Sequence, residues 1–192
     1  MLRLQEVYNE LQEEIAQFKR AARIDCPNKC RKCCETARFV EVSTFEMLPL
    51  SIHLWEKGKA EIILKQLKEV DPEGPCVLLN RNPSLRSEGG CRYYSFRPLI
   101  CRLFGFSAIR DKYGNPKTTL CKPLKELNPG IEERIDEMIP KGLRVPFIPD
   151  YSRRVSFLHP SLGHAKHPIN FSLRQVLEEV GQKIQFRQNS EL

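Results

Sequence analysis

The feature that most constrains this chain is a cluster of four cysteines within nine residues. Cys26, Cys30, Cys33 and Cys34 are separated by three, two and no intervening residues. Gaps of two or three residues let a tight turn direct two sulfurs at one ion, at about 2.3 Å for zinc. Isolated cysteines are often small buried hydrophobic side chains, but a cluster this dense is not typical of that role. The spacing therefore predicts a site that binds metal through thiolates.

The adjacent pair in this cluster suggests more than one metal centre. In extended backbone, neighbouring side chains such as those of Cys33 and Cys34 point to opposite faces, so the two sulfurs are poorly placed to share an ion. Eight thiolates also divide naturally into two four-sulfur sites. We therefore expect Cys33 and Cys34 to serve different centres. The number of centres and the membership of each stay open.

The other four cysteines are dispersed along the chain and have basic residues or turn formers beside them. Nearby positive charge lowers the pKa of a thiol and favours the thiolate, the form that binds metal. These four are predicted to complete the ligand set, and they are Cys76, Cys91, Cys101 and Cys121.

Whether the cysteines bind metal or form disulfide bonds depends on the redox state of the cellular compartment in which the protein resides. The first residues lack the apolar segment of a secretory signal, and no stretch reaches the roughly 18 apolar residues that a membrane span needs. These features predict a cytoplasmic protein without a membrane partner. Disulfides are disfavoured in the reducing cytosol, so an even count of eight cysteines favours metal here.

A net charge of +7 raises the question of a nucleic-acid partner. Eight thiolates with two divalent ions would together add −4 and reduce the net charge to +3. The aromatic residues between Arg92 and Arg97 would suit base stacking, but we expect them to pack around the metal while the arginines neutralise thiolates. Nucleic acid is therefore not the predicted partner, whereas a protein partner and the oligomeric state stay open.

Hydrophobic periodicity predicts a mainly helical chain. Apolar residues at helical spacing indicate an amphipathic helix over residues 2–22, which packs on the core or, less plausibly, pairs with a second chain as a coiled coil. Ser43 and Glu46 have the form of a capping box, followed by a kink or break at Pro49. Further helices are expected over residues 50–57, 60–70, 131–139 and 172–188.

The remaining segments predict little regular structure. Residues 76–79 are at most a short strand, residues 106–109 and 118–121 resemble a hairpin, and residues 142–168 are expected to be an ordered loop. The predicted fold class is mainly α with a small β-hairpin, in a loop-rich single domain over residues 1–192 organised around cysteine metal sites. Residues 26–121 would be the metal-binding core, between an N-terminal helix (1–25) and a C-terminal extension (122–192).

The order of the cysteines and their neighbours resembles a known family. Cys26-x3-Cys30-x2-Cys33-Cys34, then Pro75-Cys76, then Cys91-x-Tyr-x3-Arg-Pro-x2-Cys101-Arg resembles the zinc- or iron-chelating cysteine-cluster proteins, CxxCxxCC or YkgJ-type. The first gap here is three residues rather than two. The resemblance implies chelation of zinc or iron, including a [4Fe-4S] cluster. It leaves open whether the protein is an enzyme, such as an iron–sulfur oxidoreductase or a group-transfer enzyme.

Two other cysteine motifs fit the sequence less well. Cys26-x3-Cys30-x2-Cys33 also matches the opening of radical S-adenosylmethionine enzymes, but Lys32 stands where an aromatic is usual and the alternating strands and helices are missing. The spacing of bacterial ferredoxins does not match either.

The histidines offer other candidate ligands. His159, His164 and His167 lie close together and are predicted to be loop residues, although a metal or proton-transfer role is open. His53 is predicted to be structural.

Overall fold

A computed structural model describes residues 2–27, 30–36, 40–80 and 90–190. Within these ranges the chain is mainly helical, which confirms the predicted fold class. The helices are α1 (Leu2–Ala22), α2 (Lys32–Thr36), α3 (Thr44–Glu56), α4 (Ala60–Glu69), α5 (Leu99–Leu103), α6 (Lys122–Leu127), α7 (Ile131–Met138), α8 (Ile148–Phe157) and α9 (Ile169–Ser190), with a 3₁₀ turn at Tyr94–Phe96. None of these helices has the combination of length and hydropathy that a membrane crossing requires.

Helix α1 matches its prediction at both ends. Every residue of the predicted apolar face is buried: Leu4, Val7, Tyr8, Leu11, Ile15, Phe18 and Ala22. That face packs within the chain, against α5 and α8, so a coiled-coil partner is not needed to cover it. The helix ends at Arg23, whose φ of +54° allows the Ile24 N–H to donate to the Lys19 carbonyl. This turn leads the chain directly towards Cys26.

Helix α3 begins with the predicted capping box. The Ser43 hydroxyl accepts from the Glu46 N–H, and the Glu46 carboxylate accepts from the Ser43 N–H at 2.9 Å. Of the predicted kink or break at Pro49, the break is wrong, because one helix continues from Thr44 to Glu56. The hydrogen bond lost at Pro49 is outweighed by burial, since Leu50 and Leu54 pack in the core beside α9.

The expectation of a loop over residues 142–168 is also wrong. Helix α8 forms there, with Pro149 in its first turn. The N–H groups of a first turn have no partner within the helix, so a proline there costs no helical hydrogen bond. Tyr151 and Val155, four residues apart, bury one face of α8 against α1. Helix α7 is as predicted, and α9 begins three residues earlier than expected.

Four short strands form two antiparallel pairs. The predicted hairpin is confirmed, with β2 (Ala108–Arg110) paired to β3 (Pro116–Thr118), two residues from the expected positions. β1 (Glu41–Ser43) pairs with β4 (Lys166–Pro168), so that Val42 lies opposite His167. This second pair brings the start of α9 beside the segment that follows the cysteine cluster. Residues 76–79 form turns and one isolated bridge, Leu79 with Cys91, instead of a strand.

The buried side chains form three clusters. The first joins α3, α4 and α9 and contains Val42, Met47, Leu50, Leu54, Ala60, Ile63, Leu67, Leu78, Ile169, Leu173, Val176 and Leu177. The second joins α1, α5 and α8 and contains Leu4, Val7, Tyr8, Leu11, Ile15, Phe45, Leu99, Leu103, Tyr151 and Val155. The third surrounds the hairpin and contains Phe18, Ala22, Ile24, Ala108, Leu120, Leu124, Ile131, Ile135 and Val145.

Candidate metal centre

A cavity of about 690 Å³ lies where the three clusters approach one another. Its wall includes Leu78 and Ile169 of the first cluster, Ile15 of the second, and Phe106, which packs on both the second and the third. Seven of the eight predicted ligands line this cavity: Cys26, Cys30, Cys33, Cys34, Cys76, Cys91 and Cys101. The fold therefore gathers cysteines from four separate stretches of the sequence into one place.

Cys121 adjoins the same region from the third cluster. It lies at the N-terminus of α6, and Gly105 approaches it so closely that a Cβ on Gly105 would be 3.3 Å from the Cys121 Sγ. Burial raises the pKa of the Cys121 thiol, and negative charge on Cys30 and Cys33 adds to this effect. The structure thus brings all eight predicted ligands into one neighbourhood.

Cysteine sulfurs are the most numerous potential metal donors around the cavity. Among the described residues that line it, there is no histidine, aspartate or glutamate. The polar side chains there, apart from the thiols, are those of Gln12, Lys19, Arg97, Arg102 and two tyrosines. Thiolate sets without oxygen donors suit zinc, iron–sulfur clusters and other soft centres, and they do not suit magnesium or calcium. The cysteines present therefore fit zinc or iron.

The cysteine cluster is held by local turns. The Cys30 N–H donates to the Pro27 carbonyl at 2.9 Å, and the Cys34 N–H donates to the Arg31 carbonyl at 2.9 Å. Cys33 and Cys34 lie on the short helix α2, with their sulfurs 3.9 Å apart. The assumption of extended backbone at this pair was therefore wrong. Successive residues on a helix are about 100° apart, so the two sulfurs diverge less than they would on a strand.

The segments that carry Cys76 and Cys91 are paired by backbone hydrogen bonds. The Asn80 N–H donates to the Gly90 carbonyl at 2.7 Å, and the Arg92 N–H donates to the Leu78 carbonyl at 3.0 Å. Gly90 also abuts α2, because a Cβ there would be 2.7 Å from the Arg31 Cβ and 3.3 Å from the Cys34 Cβ. A side chain at position 90 would push α2 away, so this glycine permits the approach of Cys34 to Cys91.

Arginines fix the backbone around Cys101. The Arg97 guanidinium donates to the Cys101 carbonyl at 3.1 Å and lies 3.5 Å from the centre of the Tyr94 ring. Arg102 donates to the carbonyls of Arg97 and Ser95, at 2.7 and 2.6 Å. These contacts explain why the sequence element Arg-Pro-x2-Cys-Arg needs both arginines, since each stabilises the turn and adds positive charge near the sulfurs.

Burial sets the protonation of most of these thiols. Desolvation raises the pKa of Cys26 to about 11 and that of Cys76 to about 12. It also raises the pKa of Cys91, Cys101 and Cys121, with neighbouring thiolates adding to the effect. Without a cation these cysteines are held as neutral thiols. A bound cation reverses this balance, because it stabilises the thiolates that burial disfavours.

Cys33 is the exception. A hydrogen bond from Cys34 and the positive charge of Arg97 lower the pKa of Cys33 to about 6. The same hydrogen bond raises the pKa of Cys34, since Cys34 keeps the proton that it donates. The two sulfurs therefore share one hydrogen bond, and the pair favours the loss of a single proton.

The sulfurs are near one another but are not arranged around an ion. Within residues 2–27, 30–36, 40–80 and 90–190, no three histidine, cysteine or carboxylate side chains stand close enough together to hold a metal ion. Ligation would require the thiolates to move inward from the cavity wall. Which cysteines bind, and in what grouping, stays a prediction.

The histidines have other described contacts. His53 packs against Phe96, with ring centres 4.7 Å apart, as expected for a structural role. The His159 Nδ1 accepts from the Leu162 N–H at 3.1 Å. His164 and His167 lie beside the rings of Phe157 and Phe171. These histidines are not among the residues that line the cavity.

The structure also adds residues that the sequence did not indicate. Gln12, Ile15 and Lys19 of α1 line the cavity, although nothing in the helical periodicity distinguishes Gln12 or Lys19 from other polar residues of that helix. The close approach of Gly90 to α2 was likewise not predicted. Its position directly before Cys91 was the available sign, because a glycine beside a ligand often marks close backbone packing.

Comparison with known proteins agrees with the position of this site. Residues 25–122, about half of the chain, match the model of the CxxCxxCC family, described as "Putative zinc- or iron-chelating domain". No curated protein and no solved structure matches the chain. The matched range begins one residue before Cys26 and ends one residue after Cys121, so it spans every cysteine of the candidate site.

Proposed function

Because the chain belongs to the CxxCxxCC family of zinc- or iron-chelating domains, we propose that it binds zinc or iron through cysteine thiolates at two centres. The observation that carries this proposal is the cavity lined by seven cysteines, which come from four separate stretches of sequence. A bound ion would compensate the negative charge of buried thiolates. It would also join the four segments to one another. A donor set rich in thiolates suits zinc and iron centres.

We assign the eight thiolates to two groups of four. One group is Cys26, Cys30, Cys33 and Cys121, and the other is Cys34, Cys76, Cys91 and Cys101. In the first group, the thiols of Cys30, Cys33 and Cys121 all raise the pKa of Cys26. In the second, the thiols of Cys91 and Cys101 raise the pKa of Cys34. Cys33 also acts on Cys34, Cys91 and Cys101. These effects fall off with distance, so they place the thiols near one another, and the division between centres rests on packing.

Packing supports the same division. Cys76, Cys91 and Cys101 all pack against the first hydrophobic cluster, whereas Cys121 packs against the third. Gly90 holds Cys34 of α2 close to the Cys91 segment. The second group therefore has a common support in the α3–α4–α9 core, and the first lies between α1 and the hairpin.

The test is an anaerobic titration of metal-free protein with zinc and with cobalt(II). We expect saturation at about two ions per chain, protection of all eight cysteines from alkylation, and the charge-transfer absorption of cobalt thiolates. Brown protein with bound iron and sulfide would identify iron–sulfur clusters instead of zinc. A chain that takes up neither zinc, cobalt nor iron, and whose cysteines stay reactive, would refute the proposal.

Single substitutions test the grouping. Cys26→Ser and Cys101→Ser should each lose one ion and leave the other centre intact. Ile100→Val is the matched control, since it also alters the cavity wall and costs stability of about 1 kcal/mol but removes no sulfur. Loss of both ions from each cysteine variant, with normal binding by the control, would contradict two separate centres.

A further inference from the structure

The loop that carries Cys76 is held by a single side chain from a distant helix. Asn170, in the first turn of α9, is only 2% exposed. Its Oδ1 accepts from the Val77 N–H at 2.9 Å. Its Nδ2 donates to the carbonyls of Asp71, Gly74 and Pro75, at 3.2, 3.4 and 3.2 Å. Every polar atom of this amide is thus directed at residues 71–77.

Two bonds hold the backbone at and after Cys76, since the Leu79 N–H donates to the Cys76 carbonyl at 3.0 Å and the Arg92 guanidinium donates to the Val77 carbonyl at 2.6 Å. Pro72 and Pro75 have no N–H to donate. Within the turn, the Gly74 N–H donates to the Asp71 carbonyl and the Glu73 N–H to the Asp71 side chain, but both bonds lie before Cys76. Asn170 contacts the backbone on both sides of Cys76, through Pro75 and Val77. The amide therefore links the backbone before Cys76 to the backbone after it.

Asn170 is itself held firmly. The Ile169 N–H donates to the Val40 carbonyl at 2.8 Å, and the pairing of β1 with β4 fixes the approach to α9. Ile169 lines the cavity beside Cys76. The start of α9 is therefore a rigid support for the cavity wall, although it lies outside residues 25–122, which match the family model.

We infer that Asn170 is a positioning residue that holds Cys76 towards the cavity for metal binding. This inference rests on the proposed function, in which Cys76 is a ligand. An asparagine suits the position because it offers two N–H donors and one acceptor oxygen, which match the carbonyls and the N–H of the loop. An aspartate has the same shape but has no donors, so it would face three carbonyl oxygens with negative charge.

The experiment compares Asn170→Ala and Asn170→Asp with Ser172→Ala as the control. Ser172 is also fully buried at the start of α9, and its hydroxyl donates to the Val42 carbonyl, away from Cys76. In metal-free protein, we expect alkylation of Cys76 to become faster by roughly tenfold in both Asn170 variants, relative to Cys101, through local opening of the loop. Ser172→Ala should leave this ratio unchanged, even if the whole protein becomes less stable.

The same variants are then loaded with cobalt(II). The Asn170 variants should show weaker thiolate-to-cobalt absorption per ion, because one ligand is lost, while Ser172→Ala should match the wild type. Unchanged Cys76 alkylation and unchanged cobalt spectra in both Asn170 variants would overturn the inference. If the wild type binds no metal, the proposed function fails. If the Cys76 alkylation ratio still rises in the Asn170 variants, Asn170 holds the Cys76 loop but has no role in metal binding. If Asn170→Ala does not fold, Asn170→Ser, which keeps one donor and one acceptor, gives the same comparison.

Discussion

The pKa values of Cys33 and Cys76 are shifted in opposite directions, although both residues line one cavity. A hydrogen bond from Cys34 and the charge of Arg97 lower the pKa of Cys33, whereas burial raises that of Cys76. The sequence suggested that nearby basic residues would favour thiolates at every cysteine. That expectation holds where an arginine faces the sulfur and the sulfur accepts a hydrogen bond. It does not hold where desolvation dominates, because burial cannot be read from neighbours in the sequence.

Raised thiol pKa values make the metal-free protein sensitive to alkaline pH. In the unfolded chain these thiols lose their protons near their ordinary pKa of 9.0, whereas folding raises the pKa of Cys26 to about 11 and of Cys76 to about 12. The folded state thus binds more protons over this window. We expect the free energy of unfolding of metal-free protein to be independent of these thiols below pH 9 and to fall as the pH rises from 9 towards 12.

Chemical denaturation in reducing buffer across this pH range measures the effect. Tyr8 and Tyr151 also have raised pKa values and add to the loss of stability at high pH. Cys76→Val is the matched control, because it keeps the apolar packing and removes one titrating thiol. The free energy of unfolding should fall less at high pH in Cys76→Val than in the wild type. An equal fall in both proteins would contradict this expectation.

At the scale of elements, helices with a clear apolar period could be predicted, including the eight-residue α7, whereas the five-residue helices could not. Helix α1 presents seven buried residues at helical spacing, and α9 places Leu173, Val176 and Leu177 in the core. Such periodicity needs no knowledge of the partner surface. Helices α2 and α5 have five residues each, too few to display a period, and they form because cysteine turns and tertiary contacts hold them.

Prolines misled the prediction in two elements for the same reason. Helix α3 continues through Pro49, and α8 accepts Pro149 in its first turn. The cost of a proline depends on where it lies in the helix and on how much apolar surface the helix buries. Neither quantity is available before the ends and the packing of the helix are known.

Glu46 connects three elements next to the site and provides a test at this scale. Its buried carboxylate accepts from the Ser43 N–H at the start of α3, from the Leu99 N–H at the start of α5 at 2.8 Å, and from the Tyr8 hydroxyl of α1. Glu46→Gln replaces one acceptor oxygen with an NH₂ group that would face these donors. We expect a loss of about 3 kcal/mol in the free energy of unfolding.

Denaturant unfolding with and without metal measures this loss. Because Leu99 begins the helix that carries Cys101, zinc affinity should fall together with stability. Glu61→Gln is the control, since Glu61 is an exposed acidic residue in the first turn of α4 and its change should stay within about 0.5 kcal/mol. A Glu46 variant as stable as this control would show that the carboxylate does not hold the three elements together.

At the scale of the whole molecule, the cavity lies between the three hydrophobic clusters, so bound metal would join them. Cys101 packs on the first cluster and Cys121 on the third, while Ile15 of the second cluster lines the same cavity. Bound metal would also account for part of the net charge of +7, since eight thiolates with two divalent ions would reduce it to +3. The sequence could indicate the candidate ligands and this charge balance. It could not indicate that the sulfurs lie where three packed units meet, because that arrangement depends on long-range contacts.

Removal of metal should therefore loosen the whole chain. The free energy of binding a structural zinc is on the order of 10 kcal/mol, and it contributes to folding wherever the unfolded chain lacks the site. We expect chelation to lower the melting temperature by more than about 10 °C, and added zinc to restore it. Thermal unfolding followed by circular dichroism measures this shift, and identical melting of the metal-free and metal-loaded proteins would contradict a structural role.

The central claim is that the cysteines hold metal in the protein as it is made in the cell. The most direct measurement is elemental analysis of protein purified anaerobically without added metal, with free thiols counted on the same sample. The account predicts about two zinc ions per chain, or iron with sulfide, and cysteines that resist alkylation until a chelator is added. Protein that contains neither zinc nor iron, with all eight cysteines freely reactive, would contradict it.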